Sequence, residues 1–158
     1  MARKPKVIIG WEEWCALPEL GLPAIKAKID TGAKTSALHA YDIKRFREND
    51  LECVRFKIHP LQHDHVFALT CVAPLVDHRH VISSNGEREK RYVIAARLVF
   101  PNVSIKAELT LTSRHNMAFR MLLGREALRK AKFAVDPAKS FLLGRQKNVE
   151  KLYQEPQT

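Results

Sequence analysis

Apolar residues recur at every second position in short runs along this chain, and no other feature restricts its fold so strongly. A period of two puts successive side chains on opposite faces of an extended strand. Runs of this kind, or apolar runs of strand length, fall at Val7–Ile9, Cys15–Leu17, Ile25–Asp30, Leu51–Ile58, Val66–Cys71, Arg79–Ser83, Tyr92–Val99, Ile105–Thr112 and Met121–Leu123. They predict a mainly β protein. The exception is Arg125 to Ala131 or a little beyond, which combines good helix formers with Glu126 early and Arg129, Lys130 and Lys132 late, an order that complements the helix dipole. Asp136-Pro137 marks a turn, Phe141–Leu143 reads as a last short strand, and a polar tail begins near Lys147. We therefore expect one domain over residues 1–146 and a polar C-terminal tail over 147–158. A chain of 158 residues can bury one modest core.

Charge narrows the choice of partners. Lys and Arg number 27 against 17 Asp and Glu, a net charge of +10, so an acidic peptide or a nucleic acid would be attracted and steered. Cys15, Cys53 and Cys71 are odd in number and form no Cys-x-x-Cys pair, which fits a reducing compartment. The opening Met-Ala-Arg-Lys-Pro-Lys leads into too short an apolar run for a signal peptide, and no run approaches membrane-spanning length. A cytoplasmic protein with no membrane partner is expected.

Ile25, Ala27 and Ile29 interleave with Lys26, Lys28 and Asp30, and Asp30 stands where the strand meets Thr31-Gly32. Two readings are open there. Asp30 can start a turn by bonding its own backbone, as Asp does before Gly, or it can present a carboxylate held rigidly enough for chemistry. Further on, Asn85-Gly86 separates two alternating arms between Val81 and Ala96, the strongest local sign of a hairpin.

Asp30-Thr31-Gly32-Ala33 after an alternating strand resembles the active-site loop of retropepsin-like aspartic proteases. More specifically, the chain resembles a bacterial family of small retropepsin-like peptidases often labelled ATP-dependent zinc proteases. The matching blocks are Val7 to Trp14, Ala24 to Ala40, Ser83 to Glu87 and Asn116 to Leu128, in that order. This resemblance implies a retropepsin-like closed β-barrel lobe, with the 81–96 hairpin as a flap and one short C-terminal helix. Asp30 becomes the catalytic acid, Thr31 and Gly32 its partners in the loop, and Leu122-Leu123-Gly124 the segment packed behind it. Such enzymes activate water between two carboxylates that share one proton, because two like charges so close together cannot both ionise. With a single Asp-Thr-Gly in the chain, the second acid must be Asp30 of another copy across a two-fold axis.

Members of this family are thought to trim glutamate tails that an ATP-grasp ligase adds to a ribosomal protein. The resemblance thus implies a poly-glutamate-cleaving endopeptidase whose partners are itself, as a homodimer, and an acidic or glutamate-tailed protein; the basic charge is equally compatible with RNA, as a secondary contact. Candidate substrate contacts are Lys28, Ala33, Lys34, Arg79, Ser84, Asn85, Gly86, Arg91, Arg120 and Arg125, the basic ones suited to carboxylates. Each basic residue can equally be a solvated surface charge. Lys34 stands where viral retropepsins commonly carry an acid. His39 is either a structural histidine or a polarising group, and Met117, beside Asn116, reads as packing.

Two other functions compete. A basic hairpin would suit a non-catalytic ribosome- or RNA-binding module, and a zinc metallopeptidase would use some of His63, His65, His78 and His80. Helical His-Glu-x-x-His is absent, as is Gly-x-x-x-x-Gly-Lys-Ser/Thr, so no metal ligands and no cofactor are assigned. Residues 58–65 read as a polar loop.

Overall fold

The structure, a computed structural model, describes residues 6–82, 85–113 and 118–154. Eleven strands and two α-helices follow one another: β1 (Val7–Ile9), β2 (Glu12–Leu17), β3 (Leu22–Ile29), β4 (Ser36–His39), β5 (Tyr41–Glu48), β6 (Leu51–Ile58), β7 (Leu69–Ile82), β8 (Arg88–Phe100), β9 (Val103–Thr112), β10 (Met121–Leu123), α1 (Arg125–Ala131), β11 (Phe133–Val135) and α2 (Val149–Gln154). Alternation accounts for most of this. Along β2, for example, Glu13, Cys15 and Leu17 are buried while Glu12, Trp14 and Ala16 are half-exposed.

A barrel of six strands closes in the order β2-β3-β10-β4-β9-β8, with Ala16 of β2 paired to Val99 of β8. Short β10 is wedged between two partners, parallel to β3 and antiparallel to β4. Strand β4 in turn runs parallel to β9. Beyond β8 the sheet continues outward through β7, β6 and β5, all antiparallel. Strands β1 and β11 form a separate parallel pair. Leu17, Leu22, Ile25, Leu38, Ile94, Leu98, Leu109, Met121 and Leu123 are fully buried in the core, each contributing about 1.5–3 kcal/mol where a side chain of this size leaves water completely.

The expectation of a mainly β barrel with a hairpin and a short helix starting at Arg125 matches what is seen, and five details differ. Strand β4 carries no alternation because all four of its residues are buried. Strand β5 is charged and exposed, an edge strand guarded by Lys44, Arg45 and Arg47, with Asp42 in the left-handed region at φ 51°. The segments expected at Val66–Cys71 and Arg79–Ser83 meet in one continuous strand, β7, of 14 residues, which begins only at Leu69 and is described as far as Ile82.

Phe141–Leu143 is not a strand. Phe141 has φ 55°, and the Leu142 and Leu143 amides donate to the Glu13 carboxylate at 2.8 and 3.1 Å, in place of a ladder. The segment read as a polar tail contains α2, which lies against β3: the Tyr153 hydroxyl donates to the Ala24 carbonyl and its ring meets Phe67 edge-on. Burial pushes that phenol's pKa upward.

Candidate active site

Strand β3 ends where Leu123 of β10 reaches alongside it, and the Asp30 amide donates to the Leu123 carbonyl at 2.9 Å. The preceding Ile29 amide is held by the Trp11 carbonyl at 2.9 Å, so both sides of the strand end are tied. Asp30 then turns the chain. Its Oδ1 accepts the Gly32 amide at 3.1 Å and its carbonyl accepts the Ala33 amide at 3.2 Å. The turn-forming reading of Asp30 is thus realised geometrically, and it leaves the other carboxylate oxygen without a protein donor among the described residues. Asp30 is half-buried, while Thr31 and Gly32 are exposed.

The loop is fastened from behind by the start of α1. Arg125 and Glu126 amides donate to the Ala33 and Lys34 carbonyls at 2.8 and 3.1 Å, and Arg125 Nη1 donates to the Gly32 carbonyl at 3.1 Å. Gly124 lies so close that a Cβ there would fall 2.7 Å from the Thr35 carbonyl carbon. Its amide donates to Ser36 Oγ at 2.9 Å. Leu122-Leu123-Gly124 therefore occupies the supporting position expected of it. Ser36 was not singled out from the sequence; a hydroxyl at the start of a wholly buried strand is the one available signal.

The hairpin of β7 and β8 is also present, with Ile82 opposite Arg88 and Arg79 opposite Arg91. Asn85 Oδ1 accepts the Glu87 amide at 3.2 Å and Gly86 adopts φ 84°, while Ser83 and Ser84 lie outside the described residues. Two of its arginines, Arg79 and Arg91, are engaged within the chain. Arg79 bridges Glu108 at 3.0 Å and Asp77 at 2.8 Å, bonds that raise its own pKa, while the Asp77 pKa is held low first by the His78 amide, which donates to its Oδ1 at 2.7 Å, and then by Arg79. Buried Arg91 pairs with Glu89 at 3.1 Å and donates to Thr110 Oγ1 at 3.4 Å, which donates in turn to the Ser36 carbonyl at 3.4 Å. A polar line thus joins the hairpin arm to the strand behind Asp30.

The remaining basic candidates differ in environment. Lys28 is exposed on β3, and Lys34 is exposed with Glu126 at 3.8 Å. Arg120 is buried, its pKa lowered by desolvation, with Nη2 3.4 Å from His65 Nδ1. Buried His39 donates its amide to the Arg120 carbonyl at 2.8 Å. The loop carrying His65 is closed by Asp64, which accepts the Phe67 and Val66 amides; these bonds lower its pKa. Asn116 and Met117 lie outside the described residues. Among the described residues no three His, Cys, Asp or Glu side chains converge as a metal site. No helix there is long and apolar enough to cross a membrane.

A six-stranded barrel carrying an Asp-Thr-Gly loop braced by a Leu-Leu-Gly segment is the lobe of a retropepsin-like protein. Residues 8–146 match the family model described as retropepsin-like aspartic endopeptidase RimB, and the chain belongs to this RimB-like family. Two relatives named probable alpha-L-glutamate ligase, from Shewanella halifaxensis and Shewanella pealeana, are each 50% identical to it, over 145 and 150 residues. The matches cover 92% and 94% of this chain but 31% and 32% of those proteins, so the chain spans about a third of the length of the curated relatives it matches. A protein of the same name from Desulfotalea psychrophila is 44% identical over 155 residues, 97% of this chain and 33% of its own. The crystal structure of a protein of unknown function from Legionella pneumophila superposes with a TM-score of 0.73 at 25% identity, covering 88% of this chain and 99% of that one.

Proposed function

We propose that the chain is an aspartic endopeptidase that hydrolyses acidic segments, specifically runs of α-linked glutamate such as tails on a ribosomal protein, through a dyad of Asp30 residues from two copies. The observation that carries this reading is the Asp30 carboxylate, fixed at a strand end by the Gly32 amide and braced by β10 and α1, with one oxygen left without a protein donor among the described residues. Membership of the RimB-like family supports the reaction class. The substrate class draws support from the excess of Lys and Arg and from relatives named for ligating α-L-glutamate, a third of whose length resembles this chain.

In the proposed reaction one carboxylate takes a proton from water as its oxygen attacks the peptide carbonyl, and the protonated partner carboxyl donates to the carbonyl oxygen. Collapse of the tetrahedral intermediate breaks the C–N bond, with the proton delivered to the departing amine. One glutamate chain becomes two shorter ones. Exposed Lys28 and Lys34 and the Asn85-Gly86 tip, with Ser84 beside it, are the proposed substrate contacts. The paired Arg79 and Arg91 would act by stiffening the hairpin.

The test is cleavage of an oligo-α-glutamate peptide, followed by mass spectrometry with chelator present. Wild-type protein is expected to cut; Asp30→Asn, folded to the same melting temperature, is expected to lose at least about a thousandfold in rate, as removal of an essential acid–base group does. Undiminished cutting by Asp30→Asn, or cutting abolished by chelator, would contradict the reading.

A further inference from the structure

Beside the Asp-Thr-Gly loop lies a cleft of about 450 Å³ lined by Thr31, Lys6, Arg125, Arg129, Lys132, Leu128, Phe133 and Val135. Its composition is lopsided: four cations and no acid. None of the four forms an ion pair among the described residues, and Lys6, Arg129 and Lys132 are exposed. Beneath them Leu128 and Phe133 make a buried apolar floor. The pairing of β1 with β11, Val7 opposite Phe133, brings Lys6 next to residues more than a hundred positions away in the chain.

We propose that this cleft is an anchoring subsite for the acidic chain, in which Lys6, Arg129 and Lys132, with Arg125, hold side-chain carboxylates of residues lying beyond the bond cut at Asp30. The inference rests on the reading of the substrate as acidic. A glutamate side chain fits both halves of the site, its two methylenes against Leu128 and Phe133 and its carboxylate among the cations. Nucleic acid offers phosphates without those methylenes and leaves the floor unused. A second copy of this chain fits worse, since a two-fold contact would turn the cationic surface against itself. Thr31 is one wall of the cleft, and Arg125 also binds the Gly32 carbonyl, so a chain leaving the Asp30 loop enters directly.

Lys132 carries a second argument. It caps α1 in the left-handed region at φ 59°, where glycine is the unstrained choice, and a lysine stands there instead.

The experiment is titration of fluorescent oligo-α-glutamate into the Asp30→Asn protein, so that binding is read without turnover, at low and high salt. Combined Lys6→Gln, Arg129→Gln and Lys132→Gln is expected to weaken binding about tenfold or more and to flatten its salt dependence. In the active background the same changes should raise KM for long peptides and leave kcat unaltered. Lys132→Gly separates binding from folding: it should raise the melting temperature while lowering affinity. Unchanged affinity in the combined variant overturns the proposal, as does a loss of dimer with affinity intact, or tighter binding of an RNA of matched charge through the same three residues. Binding through the cleft with no cleavage by the wild type would sink the peptidase reading and leave the subsite standing.

Discussion

At the scale of single residues, two glycines near Asp30 have different reasons to be there. A Cβ on Gly124 would press into Thr35 and Ala33 backbone, whereas one on Gly32 would meet only Asp30 Oδ1, at 3.3 Å. Gly124→Ala should therefore cost about 1–3 kcal/mol of stability, the usual range for overpacking, and lower activity with it. Gly32→Ala should keep the melting temperature and lose activity alone, because the added methyl intrudes only on the carboxylate. Thermal denaturation beside a peptide assay checks both. Asp30 itself was legible in the sequence, since an alternating strand running into Thr-Gly fixes where the carboxylate stands. Lys6, Arg129 and Lys132 were not, because the pairing of β1 with β11 that gathers them joins distant segments whose three-residue runs say nothing of their partner.

Elements show the same division. Strands with one buried face, such as β2, announce themselves by alternation, while β4, buried throughout, and β5, charged and exposed at five of its eight positions, do not. Helix α2 is six residues long and is held by Tyr153 against β3, a contact that no local period encodes. Glu13 is the clearest case of meaning hidden from sequence. Fully buried on β2, it accepts the amides of Gly10, Leu142 and Leu143, pinning the segment after β11 across the barrel. Glu13→Ala would strand three donors, each worth about 1–3 kcal/mol if left buried and unsatisfied, so a loss of at least about 3 kcal/mol is expected. Chemical denaturation should show it, with Glu13→Gln losing less because its amide oxygen still accepts.

For the whole molecule, the central fact is that the barrel closes around a single Asp-Thr-Gly loop. One carboxylate cannot both receive water's proton and protonate the carbonyl, so the account requires two copies meeting at Asp30. The measurement that tests this most directly is peptide cleavage by wild type unfolded and refolded together with increasing shares of Asp30→Asn. Random pairing of equal amounts would leave about one quarter of the dimers with two intact acids, so activity should follow the square of the wild-type fraction. Activity that falls in simple proportion to that fraction would mean each copy works alone, and would contradict the dyad.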